Sequence, residues 1–281
     1  PGAGHTKDTV TPAIGFFRFD CLPGSDTHVS VPFQRPARWS GKLGASPADQ
    51  GGGMMRLTLE GSPAFSSGEL TTVPHLVVCF DPSGPNGRHF PIAAHSAGTI
   101  DITAAPADLS GLGNGGLISV VPAWTLAALF PPASQTTFHP STGPLASQRG
   151  SELLFFNNGS EGIDLAPSHR FFVTTTGWFE VGAYDVADQV AILPGQAFVV
   201  RHRDTATATT FVPLDEVSDG AVSLSLPVAN GSPRDTMVAP PRPTPIILDQ
   251  LDFDGMAFEQ SASTAVGDRK DQLLVFDSSA P

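Results

Sequence analysis

The chain has 281 residues, 15% of them charged and 40% hydrophobic, with a formal net charge of −12 and a pI near 4.9. That balance excludes nucleic acid and anionic membranes as natural partners, since both are held by a basic face, and no apolar run approaches the roughly 18 residues that a membrane-crossing helix needs. Glycine (29) and proline (27) are frequent and lysine is scarce. The 19 phenylalanines supply enough apolar bulk to exclude a disordered Pro/Gly tract.

In chain order, residues 1–14 are polar and proline-containing and read as an extended arm. Phe17, Phe19 and Cys21 then alternate on one strand face, and Val29, Val31 and Phe33 on another, with turn chemistry at Leu22-Pro23-Gly24-Ser25-Asp26 between them. A loop at 45–53 precedes an alternating strand at 55–61. The continuous apolar run 75–80 is of buried-strand type, and further strands are predicted at 99–103 and 117–124. The stretch WTLAALF (124–130) predicts one short helix, ended by Pro131-Pro132. From 151 onward ELLFFN, HRFFVTTT, GWFEVGAYDV, QVAILPG, AFVVRHRD and TTFVPL read as short strands spaced by turns. Few stretches carry a 3.6-residue period, so the prediction is an all-β fold of sandwich- or barrel-like modules.

The chain also echoes itself. At an offset of 120 residues Phe138 meets Phe258, Ser141 meets Ser261 and Arg149 meets Arg269, and SELLFFN (151–157) meets DQLLVFD (271–277) without a gap. Upstream, Asp26-Thr27-x-Val29 with Arg35-Pro36 resembles Asp235-Thr236-x-Val238 with Arg242-Pro243. The expectation is two β modules from an internal duplication. One spans 15–150 and carries an insertion at about 37–120. The other spans 151–281 and ends in a partial repeat. The strand expected at 272–276 runs almost into the C-terminus, so its neighbour must come from a remote segment or another chain. Phe16, Phe17 and Phe19 on the first strands and Leu273, Leu274, Val275 and Phe276 on the last are therefore the expected pairing residues. The chain starts at Pro1 without an initiator Met, which reads as a processed, exported product. In that compartment Cys21 and Cys79 could close one disulfide, a loop of about 60 residues worth roughly 4 kcal/mol. The alternative is two buried thiols.

These residues resemble a family of secreted bacterial β-rich repeat proteins that carries no established activity. Its pattern reads GSDTxVSxPFxRP, WTLxxLFPP, GWxxVG and DxLLVFDN. The matching stretches here are Gly24–Pro36, Trp124–Pro132, Gly162–Val200, Ala239–Leu248 and Asp271–Asp277. The resemblance implies export and surface association, and in the family the chain often continues past the last motif with a further GWxxVG unit.

No motif for chemistry stands out. The nucleophile elbow, the HExxH zinc helix and the P-loop are all missing, so no catalytic residue and no cofactor is nominated. His89 and His95 would share a face of one straight strand yet lie about 20 Å apart, too far to share a metal. Asp252, Asp254 and Gly255 hint at a calcium loop, but the glycine follows the second aspartate directly and the EF-hand spacing fails. No metal site is expected. Arg201, His202 and Arg203 gather at a strand end, as a site for an anion or partner carboxylate or as a solvated terminus. Trp39, Trp124, Trp178 and Tyr184 are either a sugar platform or core, and Asn158 and Asn230 are either glycosylation acceptors or turn residues. The expected function is a non-enzymatic extracellular structural protein that self-assembles into a filament or surface layer by strand or arm exchange between copies. The alternative is a secreted module that binds polysaccharide or a cell-surface partner.

Overall fold

The computed structural model describes residues 13–217, 222–224, 226, 232–239, 242–244, 247 and 258–275. The fold is all-β, and the two α-helices among the described residues are single turns. Three strands come first, β1 (Ile14–Phe16), β2 (Phe19–Cys21) and β3 (Asp26–Val29). Next are β4 (Trp39–Lys42), β5 (Ala48–Gly51), β6 (Met54–Thr58), helix α1 (Glu69–Thr72), β7 (His75–Cys79), β8 (His89–Ser96), β9 (Thr99–Thr103) and β10 (Leu117–Pro122). The remainder comprises β11 (Trp124–Thr125), helix α2 (Leu126–Leu129), β12 (Ser151–Phe155), β13 (His169–Val173), β14 (Trp178–Glu180), β15 (Ala191–Ile192), β16 (Phe198–His202), β17 (Thr209–Phe211) and β18 (Leu214–Glu216).

Residues 39–122 build one antiparallel sheet in the order β4-β10-β7-β8-β9-β6-β5. Beyond β4 and β6 the backbone bonds Gly44 N to Thr58 O and Glu60 N to Lys42 O, both 2.9 Å, curl this sheet back on itself. Inside the curl lies a core that includes Leu57, Val77, Cys79, Ile100, Ile102, Ile118 and Val120. β7 is buried along its whole length, as its unbroken apolar run predicts, because its other face packs Leu76 and Val78 against Val121 and Ala123.

The flanking chain forms a second sheet, β14-β13-β12-β16-β3, also antiparallel throughout. Its inner face carries Val29, Leu153, Phe155, Phe171, Trp178, Phe198 and Val200, packed against Leu126 and Phe130 of the α2 segment and against Phe138, Cys21 and Phe211. Phe130 is the hub, with ring centroids 4.9 Å from both Phe138 and Phe211. This core draws on residues from 21 to 211, so the expected division at 150/151 runs through its middle. The helix predicted at 124–130 shortens to α2, because Trp124 and Thr125 are taken up by pairing with β15 and Thr125 Oγ1 caps the turn at Ala128 N (3.2 Å).

The structure bears on three further expectations. Cys21 and Cys79 are free thiols, each buried in a different core, so no disulfide joins them. A bulge between Ile92 and Ala94 in β8 inserts one residue between His89 and His95, which turns the two imidazoles to opposite faces. Among the described residues the strands bearing Phe16 and Phe19 pair with β18 and β17. Residues 272–275 belong to no strand, and Leu273, Leu274 and Val275 are exposed; Phe276, the arm 1–12, Asn230 and Asp252, Asp254 and Gly255 lie outside the described residues.

The turn that precedes β12 recurs 120 residues later. Residues Ala146–Gln148 and Val266–Asp268 are both single 3-10 turns. Gly150 N donates to Ser141 Oγ (3.2 Å) as Lys270 N donates to Ser261 Oγ (3.0 Å). His139 N donates to Ser151 Oγ (3.0 Å) as Glu259 N donates to Asp271 Oδ2 (2.6 Å). Gln148 N and Asp268 N close the two turns on Leu145 O and Ala265 O at 2.8 and 3.0 Å.

Candidate functional site

A cavity of about 460 Å3 opens where β12 begins and β16 ends, lined by the turn before β12, by Arg170 of β13 and by Arg203, Asp204 and Thr205 after β16. Four of the chain's twelve arginines face it, namely Arg149, Arg170, Arg201 and Arg203. Strand register puts them there. Glu152 lies directly opposite Arg201, and Arg201 directly opposite Asp26, so all three side chains stand on the outer face of the sheet. One residue along, Ser151 lies opposite His202, and both point to the inner face.

The inner pair forms the floor. His139 N donates to Ser151 Oγ (3.0 Å), Ser151 Oγ lies 2.8 Å from His202 Nδ1, and His202 Nε2 lies 2.7 Å from Thr209 Oγ1. Thr209 in turn donates to Thr137 O at 2.6 Å. For a neutral imidazole one proton arrangement satisfies this chain. Thr209, whose proton goes to a carbonyl, accepts from Nε2–H, and Nδ1 accepts from the serine hydroxyl. Burial, followed by the charge of His139, pushes the pKa down to about 4, which favours this neutral form. A serine donating to an imidazole has the outline of a nucleophile and its base. Here Ser151 is 1% exposed, and Nε2 meets a hydroxyl where a carboxylate would be needed to steady an imidazolium. The network works as a tie between β12, β16, β17 and the 137–139 segment.

The walls are cationic and partly pinned. Arg201 Nε and Nη2 grip both Asp26 oxygens at 2.6 Å, which raises the guanidinium's pKa further. Arg149, nearly buried, bonds Glu152 through Nε (2.5 Å) and Pro144 O through Nη1 (2.6 Å). Arg203 reaches Ser147 O through Nη1 (2.7 Å). The side chain of Arg170, exposed on β13, makes no hydrogen bond or ion pair among the described residues. Four guanidiniums against the carboxylates of Glu152, Asp204 and the Asp26 that grips Arg201 leave the cavity a small positive excess within a strongly acidic chain.

The sequence nominated Arg201, His202 and Arg203 but missed Arg149 and Arg170, which join them only through strand register. Arg149 did carry a signal, as a position shared by both halves of the 120-residue echo. His202 belongs to the floor and not to the cationic walls. The aromatic candidates do not gather. Trp178 is core and donates to Phe130 O (2.9 Å), Trp124 donates to Phe33 O (3.1 Å) beneath Arg35, Trp39 packs on the other core, and Tyr184 is exposed. The amide of Asn158 is occupied at both ends by the backbone of Met237, at 2.8 and 3.0 Å.

Among the described residues no group of three or more His, Cys, Asp or Glu side chains could hold a metal ion, and no helix is long and apolar enough to cross a membrane. Phe16 lies on β1 and Phe19 on β2, with Phe17 between them, all remote in sequence from Leu273, Leu274 and Val275 and not paired with them. Comparison of the chain with protein-family models, with curated proteins and with solved structures gave no match.

Proposed function

We propose that this chain is a non-enzymatic extracellular structural protein whose copies assemble head to tail, the 272–276 segment of one copy adding as a strand to the next. The observation that carries this reading is the recurrent turn and the contrast between the two segments that leave it. After the first turn, Leu153, Leu154 and Phe155 enter the middle of a sheet and are 0%, 0% and 5% exposed. After the second, Leu273, Leu274 and Val275 are 48%, 67% and 84% exposed. Under this reading the two stretches are copies from one duplication, and the second is a strand whose neighbours lie in another subunit.

A receiving edge is available. The ribbon of β1 and β18 exposes Ile14, Phe16, Phe17, Val212 and Leu214, and the outer edge of β1 is unpaired among the described residues. Bare apolar strand edges invite addition of a further strand. Because donor and acceptor are different surfaces, the contact is heterologous and propagates unless it closes into a ring. Size exclusion and negative-stain microscopy of the chain test this. The expected result is concentration-dependent oligomers or fibres, reduced to monomers by Leu274→Arg and by Phe16→Arg. Removal of residues 1–12, which leaves β1 and its pairing with β18 intact, separates arm exchange, which it abolishes, from strand addition at the β1 edge. A wild-type chain that stays monomeric at every concentration would sink the proposal. The arginine-lined cavity favours a second reading, a secreted module that binds polysaccharide or a cell-surface partner.

A further inference from the structure

We infer that the arginine-lined cavity binds a carboxylate-bearing sugar, a uronate unit of one or two rings, through the open N–H edges of Arg170 and Arg203. The inference does not depend on assembly. It starts from which guanidiniums are already used. Arg201 is neutralised by Asp26 and Arg149 by Glu152, and both are fixed in place by those bonds. Among the described residues the Arg170 side chain has no partner, and Arg203 spends one nitrogen, Nη1, on backbone carbonyls and keeps its other N–H groups open. Asp204 makes no ion pair with either among the described residues. Two uncompensated planar forks in one concavity match the two oxygens of a carboxylate.

The rest of the lining decides what carries that carboxylate. No Phe, Tyr or Trp side chain lines the cavity and His202 is closed off from solvent, so a neutral sugar would find no stacking face. Glu152 and Asp204 supply acceptors and Thr205 a hydroxyl beside the donors, a mixture suited to sugar hydroxyls flanking an acid group. The volume of about 460 Å3 lies within the range of small-molecule sites. The net charge of −12 repels an extended polyanion, which favours a single sugar acid or a chain end over a nucleic acid strand.

Calorimetric titration of the full chain with glucuronate, glucose and sulfate tests the inference. Glucuronate is expected to bind, glucose not to, and sulfate to bind more weakly than glucuronate. Arg170→Ala, at an exposed and unpaired position, is expected to keep the thermal midpoint of the wild type and to weaken glucuronate by about ten-fold. Arg203→Ala is a second variant with the same expected direction. No heat with glucuronate, equal affinity for glucose, equal affinity for sulfate, or unchanged binding by both variants would each overturn it.

Discussion

Ser151 gives its hydroxyl proton to Nδ1 of His202 across 2.8 Å, at a point where both side chains are closed off from solvent. Burial, with the charge of His139, holds the imidazole neutral, and the cost of charging it appears as pH dependence. The free-chain value of 6.5 falls to about 4 in the fold for His202, and burial alone does the same to His89. A depressed histidine contributes stability that is complete above about pH 6.5, declines as pH falls below that, and is lost below about pH 4. For His202 the loss is on the order of 3 kcal/mol. Guanidinium midpoints measured between pH 7 and pH 5 should fall steadily in the wild type. His202→Gln, less stable at pH 7, should show a shallower slope. An identical slope in both would show that the proton is bound elsewhere.

Cys21 and Cys79 should behave as apolar residues. Burial, opposed weakly for Cys21 by Thr209 and Thr27 and for Cys79 by Arg88, pushes the thiols up to about 11 and about 12. Neither should react with a thiol reagent at pH 8 in the native protein, and two equivalents should react in denaturant. Reductant should leave the melting temperature unchanged. A native chain that titrates no thiol even when denatured would contradict the free pair.

Trp178 anchors the core of the five-stranded sheet, fully buried and edge-on to Phe138 at 5.0 Å. Trp178→Phe keeps most of the volume but orphans Phe130 O, at about 1–3 kcal/mol. Trp178→Ala adds a cavity and should cost about 3–5 kcal/mol. Equilibrium unfolding should rank the variants in that order.

Gly111 and Gly52 both have positive φ, 83° and 64°, yet substitution should separate them sharply. A Cβ on Gly111 would stand 1.8 Å from Ser83 O, whereas one on Gly52 would meet open space. Gly52→Ala should cost about 1 kcal/mol, the backbone preference alone. Gly111→Ala must move the 81–84 turn and should cost several times as much, read as yield of folded protein and loss of thermal midpoint.

The all-β class was legible because apolar alternation and turn chemistry are local properties. β7 and β16 could be read from their residues alone. What escaped was whatever depends on a partner. Leu273 and Leu274 have the composition of Leu153 and Leu154, but a strand is made by its neighbours, and composition does not say whether they are present. The bulge in β8 reverses the relation of His89 to His95 through one inserted residue that no local preference marks. The cavity divides in the same way. Arg201 and Arg203 are near neighbours in sequence, while Arg149 and Arg170 meet them only because β12 lies between β13 and β16.

Asp26 and Arg201 are bonded across 175 residues of chain. Closing so long a loop from an unfolded chain is entropically costly and slow. The inserted sheet changes the arithmetic. Ser40 and Ser119, 79 residues apart, hydrogen-bond at 2.6 Å where β4 lies beside β10. Once that sheet has formed, its entry and exit are neighbours, and the path from β3 to β16 is shortened by nearly the whole insertion. The curled sheet thus acts as a clasp that draws together the two separated parts of its host, and the order of folding it implies runs from the inside of the sequence outward.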